Sequence, residues 1–211
     1  KTLYGEENVF DLSIGNPSAP APRKVVDVIK KLSENVNLDH QYMCESGYEE
    51  VRSKIAGWMN QKYKTSYGIN NIIMTNGVAG GLNMVLRALL NPGDEVLVFR
   101  PYYPAYIGFA ENWNGKIIEV DPGEDFQPDF EDLEGKITKR TKVVIVNSPH
   151  NPTGVIYTKE TATKISEILK SKQKEYGHAI CLLSDEPYRD LVYIEEELPW
   201  WPDFYQNTIV S

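Results

Sequence analysis

Four short segments hold the residue types that could do chemistry: Thr75-Asn76-Gly77-Val78-Ala79-Gly80-Gly81, Pro101-Tyr102-Tyr103-Pro104-Ala105-Tyr106, Asn147-Ser148-Pro149-His150-Asn151-Pro152-Thr153-Gly154 and Ser184-Asp185-Glu186-Pro187-Tyr188. Each sits where an apolar run stops. Together they offer a phosphate cradle, an aromatic face, a polar amide and a carboxylate. That is the inventory needed to hold a flat, charged, phosphorylated heterocycle.

Each segment also has a plainer reading. In the first, a strand is expected to end at Thr75 and a helix to begin near Gly77, leaving the N–H groups of Gly77, Val78 and Ala79 at the positive end of a helix dipole, where a phosphate fits. The same residues read equally as a simple strand-to-helix turn, and they form neither a Walker loop nor a dinucleotide glycine fingerprint. Tyr103 is expected to open a helix and present a ring face, although tyrosines at helical spacing are commonly core. The prolines and glycine of the third segment make a rigid loop that could fix the Asn151 amide, or merely a tight turn with Asn in a favoured position. His150 reads as a loop residue, since no second His or Cys stands at metal-ligand spacing. Asp185 follows an apolar strand, where a carboxylate is costly unless it faces a cation such as a protonated ring nitrogen; the rival reading is a helix cap. Tyr188 would share its face if the turn is helical, with Glu186 facing elsewhere.

The elements that must position these groups are legible from periodicity. Ile72-Ile73-Met74, Val96 to Phe99, Ile117-Ile118, Val143 to Val146, Ile180 to Leu183 and Ile209-Val210 are short apolar runs between turn residues and are expected to be strands. Helices are expected over 78–90 and 158–174, the latter with Ile165, Ile168 and Leu169 on one face. Two earlier helices, carrying Val25, Val28, Ile29 and Leu32 and then Val51, Ile55, Trp58 and Met59, flank a loop holding Tyr42, and Ile14 to Pro20 is expected to run as an extended arm. Near-continuous apolar strands alternating with helices predict a three-layer α/β/α fold with a mostly parallel central sheet. Ligands in such sheets collect beyond the carboxyl ends of the strands, where all four segments fall.

Composition excludes several classes. The 211 residues, 41% hydrophobic and 25% charged, suit a folded domain with a core of its own. A formal net charge of -8 leaves no basic stripe for nucleic acid or anionic membranes. No apolar run approaches the ~18 residues of a membrane span, and no leader is visible, so the expected location is the cytoplasm. Cys181 reads as a small hydrophobe rather than half of a disulfide with Cys44. The chain opens at Lys1, so a processed or trimmed N-terminus is expected.

In this order the segments resemble the fold type I pyridoxal-phosphate enzymes and, within them, the class I/II aminotransferases, from Ile14-Gly15-Asn16-Pro17 and the Tyr42, Gly47, Arg52 spacing to Asn151-Pro152-Thr153-Gly154 and Asp185-Glu186-Pro187-Tyr188. The resemblance implies amino-group transfer between an amino acid and a 2-oxo acid with pyridoxal 5'-phosphate. It implies phosphate-binding amides at Gly77, Val78 and Ala79, with Tyr103 and Pro187 on the two ring faces. Asp185 would meet the ring nitrogen, and Asn151 and Tyr188 the ring hydroxyl. Gly15 and Asn151 would approach the substrate carboxylate. Tyr42 would reach the phosphate of a partner subunit, which implies a homodimer, and cis peptides are expected before Pro101 and Pro152. The lysine that bonds to the cofactor would lie a few residues beyond the run matching Thr208 to Ser211, and a phosphate-binding arginine, an arginine for the substrate carboxylate and a small C-terminal domain would also lie outside this chain. No catalytic residue is therefore expected within the chain, which divides into an arm and first helix (1–40) and a cofactor-binding large domain (41–211), inactive alone. Two rivals remain: a β-lyase or other α-carbon chemistry on the same scaffold, and a non-catalytic cofactor-sensing or interaction domain.

Overall fold

The computed structural model describes residues 2–9, 15, 19–36, 42–195 and 197–211. It divides into two units, Lys1–Met43 and Cys44–Ser211. In the first, α1 (Arg23–Ser33) starts after Pro22, carries an Arg23–Asp27 ion pair one turn apart and ends with Lys30 and Lys31 at its negative pole. Its apolar stripe, Val25, Val28, Ile29 and Leu32, is exposed. The arm expected over 14–20 lies outside the described residues apart from Gly15, Ala19 and Pro20.

The second unit is built on a five-stranded parallel sheet: β1 (Glu95–Phe99), β2 (Lys116–Val120), β3 (Thr141–Asn147), β4 (Cys181–Asp185) and β5 (Thr208–Val210), in the spatial order β2-β1-β3-β4-β5. Alternation of side chains across the pleat decides what covers each face. Val96, Val98, Val143, Ile145 and Leu183 pack with Leu82 and Leu86 of α3 (Gly77–Leu89) and Tyr106 and Ala110 of α4 (Ala105–Glu111). Leu97, Phe99, Val144, Val146 and Leu182 pack instead with Leu133 of α5 (Phe130–Lys136) and Ala162, Ile165 and Leu169 of α6 (Lys159–Tyr176). Both faces are therefore dry, each large aliphatic contributing on the order of 1.5–3 kcal/mol by burial, and the three-layer α/β/α expectation holds.

Local signals explain the element ends. Thr158 caps α6 through its hydroxyl, which accepts the Thr161 N–H at 3.2 Å, and Gly177 stops it in the left-handed region at φ 72°. The helix α2 (Glu49–Tyr63) has Glu49 and Glu50 at its positive end, again suiting the dipole. One expectation fails: Ile72-Ile73-Met74 belongs to no strand, although Ile72 is extended, and the Met74 N–H bonds the Ser46 carbonyl at 3.0 Å. Its β-branched residues fit a strand locally, but a strand needs a pairing partner, and among the described residues none lies alongside.

Candidate functional site

The chain leaves β1 through α4 to β2 on one side, whereas β3 leads through α6 to β4 on the other. That reversal between β1 and β3 is a topological switch point, the place where ligands of open parallel sheets bind.

Asn147 and Asp185 end β3 and β4 in register. By pleat parity with Ile145 and Leu183, both side chains lie on the α3/α4 side. The Asn147 Nδ2 donates to the Asp185 carbonyl at 2.8 Å, and its Oδ1 accepts the Asn151 N–H at 2.6 Å. Asn151 in turn donates from Nδ2 to the Tyr188 hydroxyl at 3.3 Å. The loop between them is closed by the Gly154 N–H on the His150 carbonyl at 2.7 Å and by His150 Nδ1 against the Thr153 hydroxyl at 2.8 Å. Burial holds the His150 imidazole below its usual pKa, against a smaller opposing effect of the Phe99 carbonyl. Peptides before Pro101 and Pro152 are cis as expected, and the one before Pro149 is cis as well.

Asp185 is buried, 4% exposed, and caps no helix, because residues 187–190 form a turn. Its Oδ2 accepts a very short hydrogen bond from the Tyr106 hydroxyl, while Oδ1 is enclosed with no partner among the described residues. Burial raises the carboxyl pKa; the Tyr106 hydrogen bond opposes that, and the Glu186 charge adds to it. Glu186 faces elsewhere, clamped by Arg189 and by the Ser184 hydroxyl at 2.7 Å. An enclosed acceptor oxygen on an acid pushed toward its neutral form fits a cationic N–H, which would satisfy the oxygen and restore the charge. The site therefore fits a protonated heterocycle.

The tyrosines of the second segment divide between its two readings. Tyr106 is core, Tyr103 is 41% exposed, and their rings meet edge to face at 5.7 Å. Tyr103 precedes α4 rather than opening it. Pro187 is exposed and Tyr188 half-buried.

The first segment differs from expectation at Gly77. Asn76 sits at φ -78°, ψ 72°, a three-residue turn in which the Gly77 N–H donates to the Thr75 carbonyl at 2.9 Å. That amide is engaged inside the turn. The Asn76 side chain makes no capping bond, so Val78 and Ala79 carry the first-turn amides it leaves uncapped. Ser211, which ends the chain after β5, bonds the Asp185 loop, its N–H donating to the Ser184 carbonyl and its carbonyl accepting the Glu186 N–H at 2.8 Å each. Gly15 and Tyr42, both exposed, belong to the Lys1–Met43 unit.

A cleft of about 620 Å³ lined by Lys62, Tyr63, Arg189 and Trp200 looks anionophilic, but Lys62 is paired with Asp190, Lys159 with Glu197 and Arg189 with Glu186. Three of its cations are thus already paired, and Lys64 donates to the Gln61 carbonyl at 3.0 Å. Sequence reasoning gave no role to Asn147 or to Tyr106. The available signals were an Asn ending an apolar strand and a tyrosine three residues after Tyr103.

Residues 7–207 match the family described as aminotransferase class I and II. Aspartate aminotransferase of Thermotoga maritima is 33% identical over 90% of this chain and 49% of its own length. Glutamate-pyruvate aminotransferase AlaA of Escherichia coli is 33% identical over 93% of this chain and 48% of its own. The crystal structure of an aminotransferase from Eubacterium rectale superposes with a TM-score of 0.94 at 40% identity, covering 99% of this chain and 54% of that one. The chain belongs to the class I and II aminotransferase family, whose members use pyridoxal phosphate. It spans about half the length of the curated relatives it matches.

Proposed function

We propose that the protein of which these residues are part transfers an amino group between an amino acid and a 2-oxo acid, and that residues 44–211 supply its pyridoxal-phosphate site. The observation that carries this is Oδ1 of Asp185, enclosed at the end of β4 next to the switch point and without a partner among the described residues. When bound, the cofactor supplies an electron-withdrawing ring that makes the substrate Cα–H acidic. The chain's own residues hold it in place. The amides of Val78 and Ala79 and the α3 dipole take the phosphate, with Gly77 shaping the turn rather than donating. Tyr103 and Pro187 lie on opposite ring faces. Asp185 holds a proton on the ring nitrogen, and Asn151 and Tyr188, already joined at 3.3 Å, bind the ring hydroxyl. Asn151 and Gly15 also serve the substrate carboxylate.

In this reading Tyr42 acts across a two-fold interface, so the working unit is a homodimer, placed in the cytoplasm. The arm and first helix (1–40) and the large domain (41–211) act as separate parts, and no lysine in this chain carries the covalent bond to the cofactor. Relatives named for aspartate and for glutamate and pyruvate support an amino acid and a 2-oxo acid as the substrates.

Titrating the chain with pyridoxal phosphate, with visible absorbance and borohydride trapping, tests this. Saturable, dialysable binding that Asp185→Ala abolishes is the expected result. A stoichiometric trapped adduct at a single lysine would overturn non-covalent binding, and no saturable binding at all would overturn the site.

A further inference from the structure

The hydroxyl of Tyr106 reaches across 79 positions of sequence to one oxygen of Asp185, and both side chains are buried, 2% and 4% exposed. A carboxylate has room for several donors. Here one oxygen has a donor and the other has none among the described residues. The same tyrosine touches the other ring-holding element: its N–H bonds the Tyr103 carbonyl at 3.1 Å, and its ring meets that of Tyr103 at 5.7 Å, 89° apart. Tyr102 lies 6.4 Å from it, nearly parallel, with its own hydroxyl on Glu119 at 2.7 Å.

We infer that Tyr106 is a positioning residue: its hydroxyl fixes Oδ2 of Asp185, leaves Oδ1 as the single acceptor for a ring N–H, and sets that acceptor relative to the Tyr103 ring. This rests on the reading of Asp185 as partner of a cationic ring nitrogen. Burial alone drives Asp185 toward its neutral form, and a neutral acid cannot hold a proton on the ring. A donor to Oδ2 favours the ionised form, because hydrogen bonds to charged groups are about twice as strong as neutral ones. The ionisable groups acting on Asp185 are Tyr106 and Glu186, and Tyr106 in turn faces Tyr157 and Tyr188. All are acids, so the Tyr106 hydroxyl is the one of them that supports the charge. Its own ionisation is suppressed by burial and by Asp185, so it remains a donor.

Tyr106→Phe keeps the ring contacts and deletes the donor. The probes are pyridoxamine phosphate, which has no aldehyde to react with surface lysines, and its analogue with C–H in place of the ring nitrogen. We expect Tyr106→Phe to bind pyridoxamine phosphate about tenfold more weakly than wild type and the carbon analogue equally well. In the ligand-free chain, the Asp185 carboxyl carbon, followed by NMR and assigned with Asp185→Asn, should titrate at higher pH in Tyr106→Phe. Tyr106→Leu, which also removes the ring, should weaken both ligands. Equal weakening of both ligands by Tyr106→Phe, or an unmoved Asp185 titration, overturns the inference. Failure of the wild type to bind pyridoxamine phosphate overturns the cofactor reading and the inference with it, and is told apart from the case in which wild type binds and Tyr106→Phe is unaffected.

Discussion

Asn147 and Asp185 end neighbouring parallel strands in register, and the side-chain amide of the first donates to the main-chain carbonyl of the second at 2.8 Å. That bond sits where two strands stop pairing and their chains turn apart. Without it the carbonyl would be buried at a strand end with no ladder to enter. Since the Asn147 Oδ1 also takes the Asn151 N–H, one amide sets the entry of both loops that offer polar groups to the site.

Asn147→Ala therefore strands one acceptor and one donor in a buried place. The expected loss of stability is about 2–4 kcal/mol, because each unsatisfied buried group costs roughly 1–3 kcal/mol. Urea unfolding measures it. A loss under about 0.5 kcal/mol would show that the loops do not depend on this side chain.

Asp185→Asn should stabilise the ligand-free chain at neutral pH while removing cofactor binding. The sign follows from linkage: an acid whose folded pKa is raised binds its proton more tightly when folded, so its contribution is most favourable below the unfolded value near 3.9 and declines as pH rises through the folded one. Asn carries no such penalty. The gain comes from the ionisation penalty alone, since the Asn amide takes the same enclosed place, and it should appear at pH 7 and vanish below about pH 4. Unfolding midpoints of both proteins across that range decide it, and a gain independent of pH would refute the assignment.

What the sequence reveals here divides by range. The runs 143–146 and 180–183 and the helix ended by Gly177 were readable because their signals are local. Ile72 to Met74 has the same local signature as a strand, yet whether it pairs depends on chain far away in sequence. Asp185 and Asn151 stand out in the sequence because each follows a strand end. Tyr106 was not, since only the fold brings α4 against β4, and Asn147 matters through its register with Asp185. The engaged Gly77 amide depends on one dihedral of Asn76, which composition does not encode.

Arg52 shows a buried charge used for architecture. Only 5% exposed, it donates from Nε to the Gly47 carbonyl at 3.1 Å and from an Nη to the Ile69 carbonyl at 2.8 Å, tying α2 to the segments on either side. Arg52→Ala should cost about 3–5 kcal/mol, since two charge-assisted bonds contribute roughly 1.5–3 kcal/mol each. Arg52→Lys should recover only part, because an ammonium lacks the planar fork that reaches two carbonyls. Thermal unfolding of the three proteins orders them, and equal stability of Ala and Lys variants would deny the clamp.

Adjacent glycines in α3 should respond oppositely to the same change. A methyl group on Gly80 would meet Asn76 Cβ at 3.7 Å, an ordinary contact, so Gly80→Ala should stabilise by about 0.5–1 kcal/mol through helix propensity. On Gly81 it would lie 2.9 Å from Ser211 Oγ and 3.3 Å from Thr75 Oγ1, where α3 approaches the end of β5. Gly81→Ala gains the same propensity but must displace the Ser211 hydroxyl, so it should be neutral or destabilising, and Gly81→Val, with more bulk against Thr75, should lose about 1–3 kcal/mol. Urea midpoints of the three variants measure the contrast. Equal stabilisation by alanine at both positions would show that the Ser211 hydroxyl does not crowd Gly81.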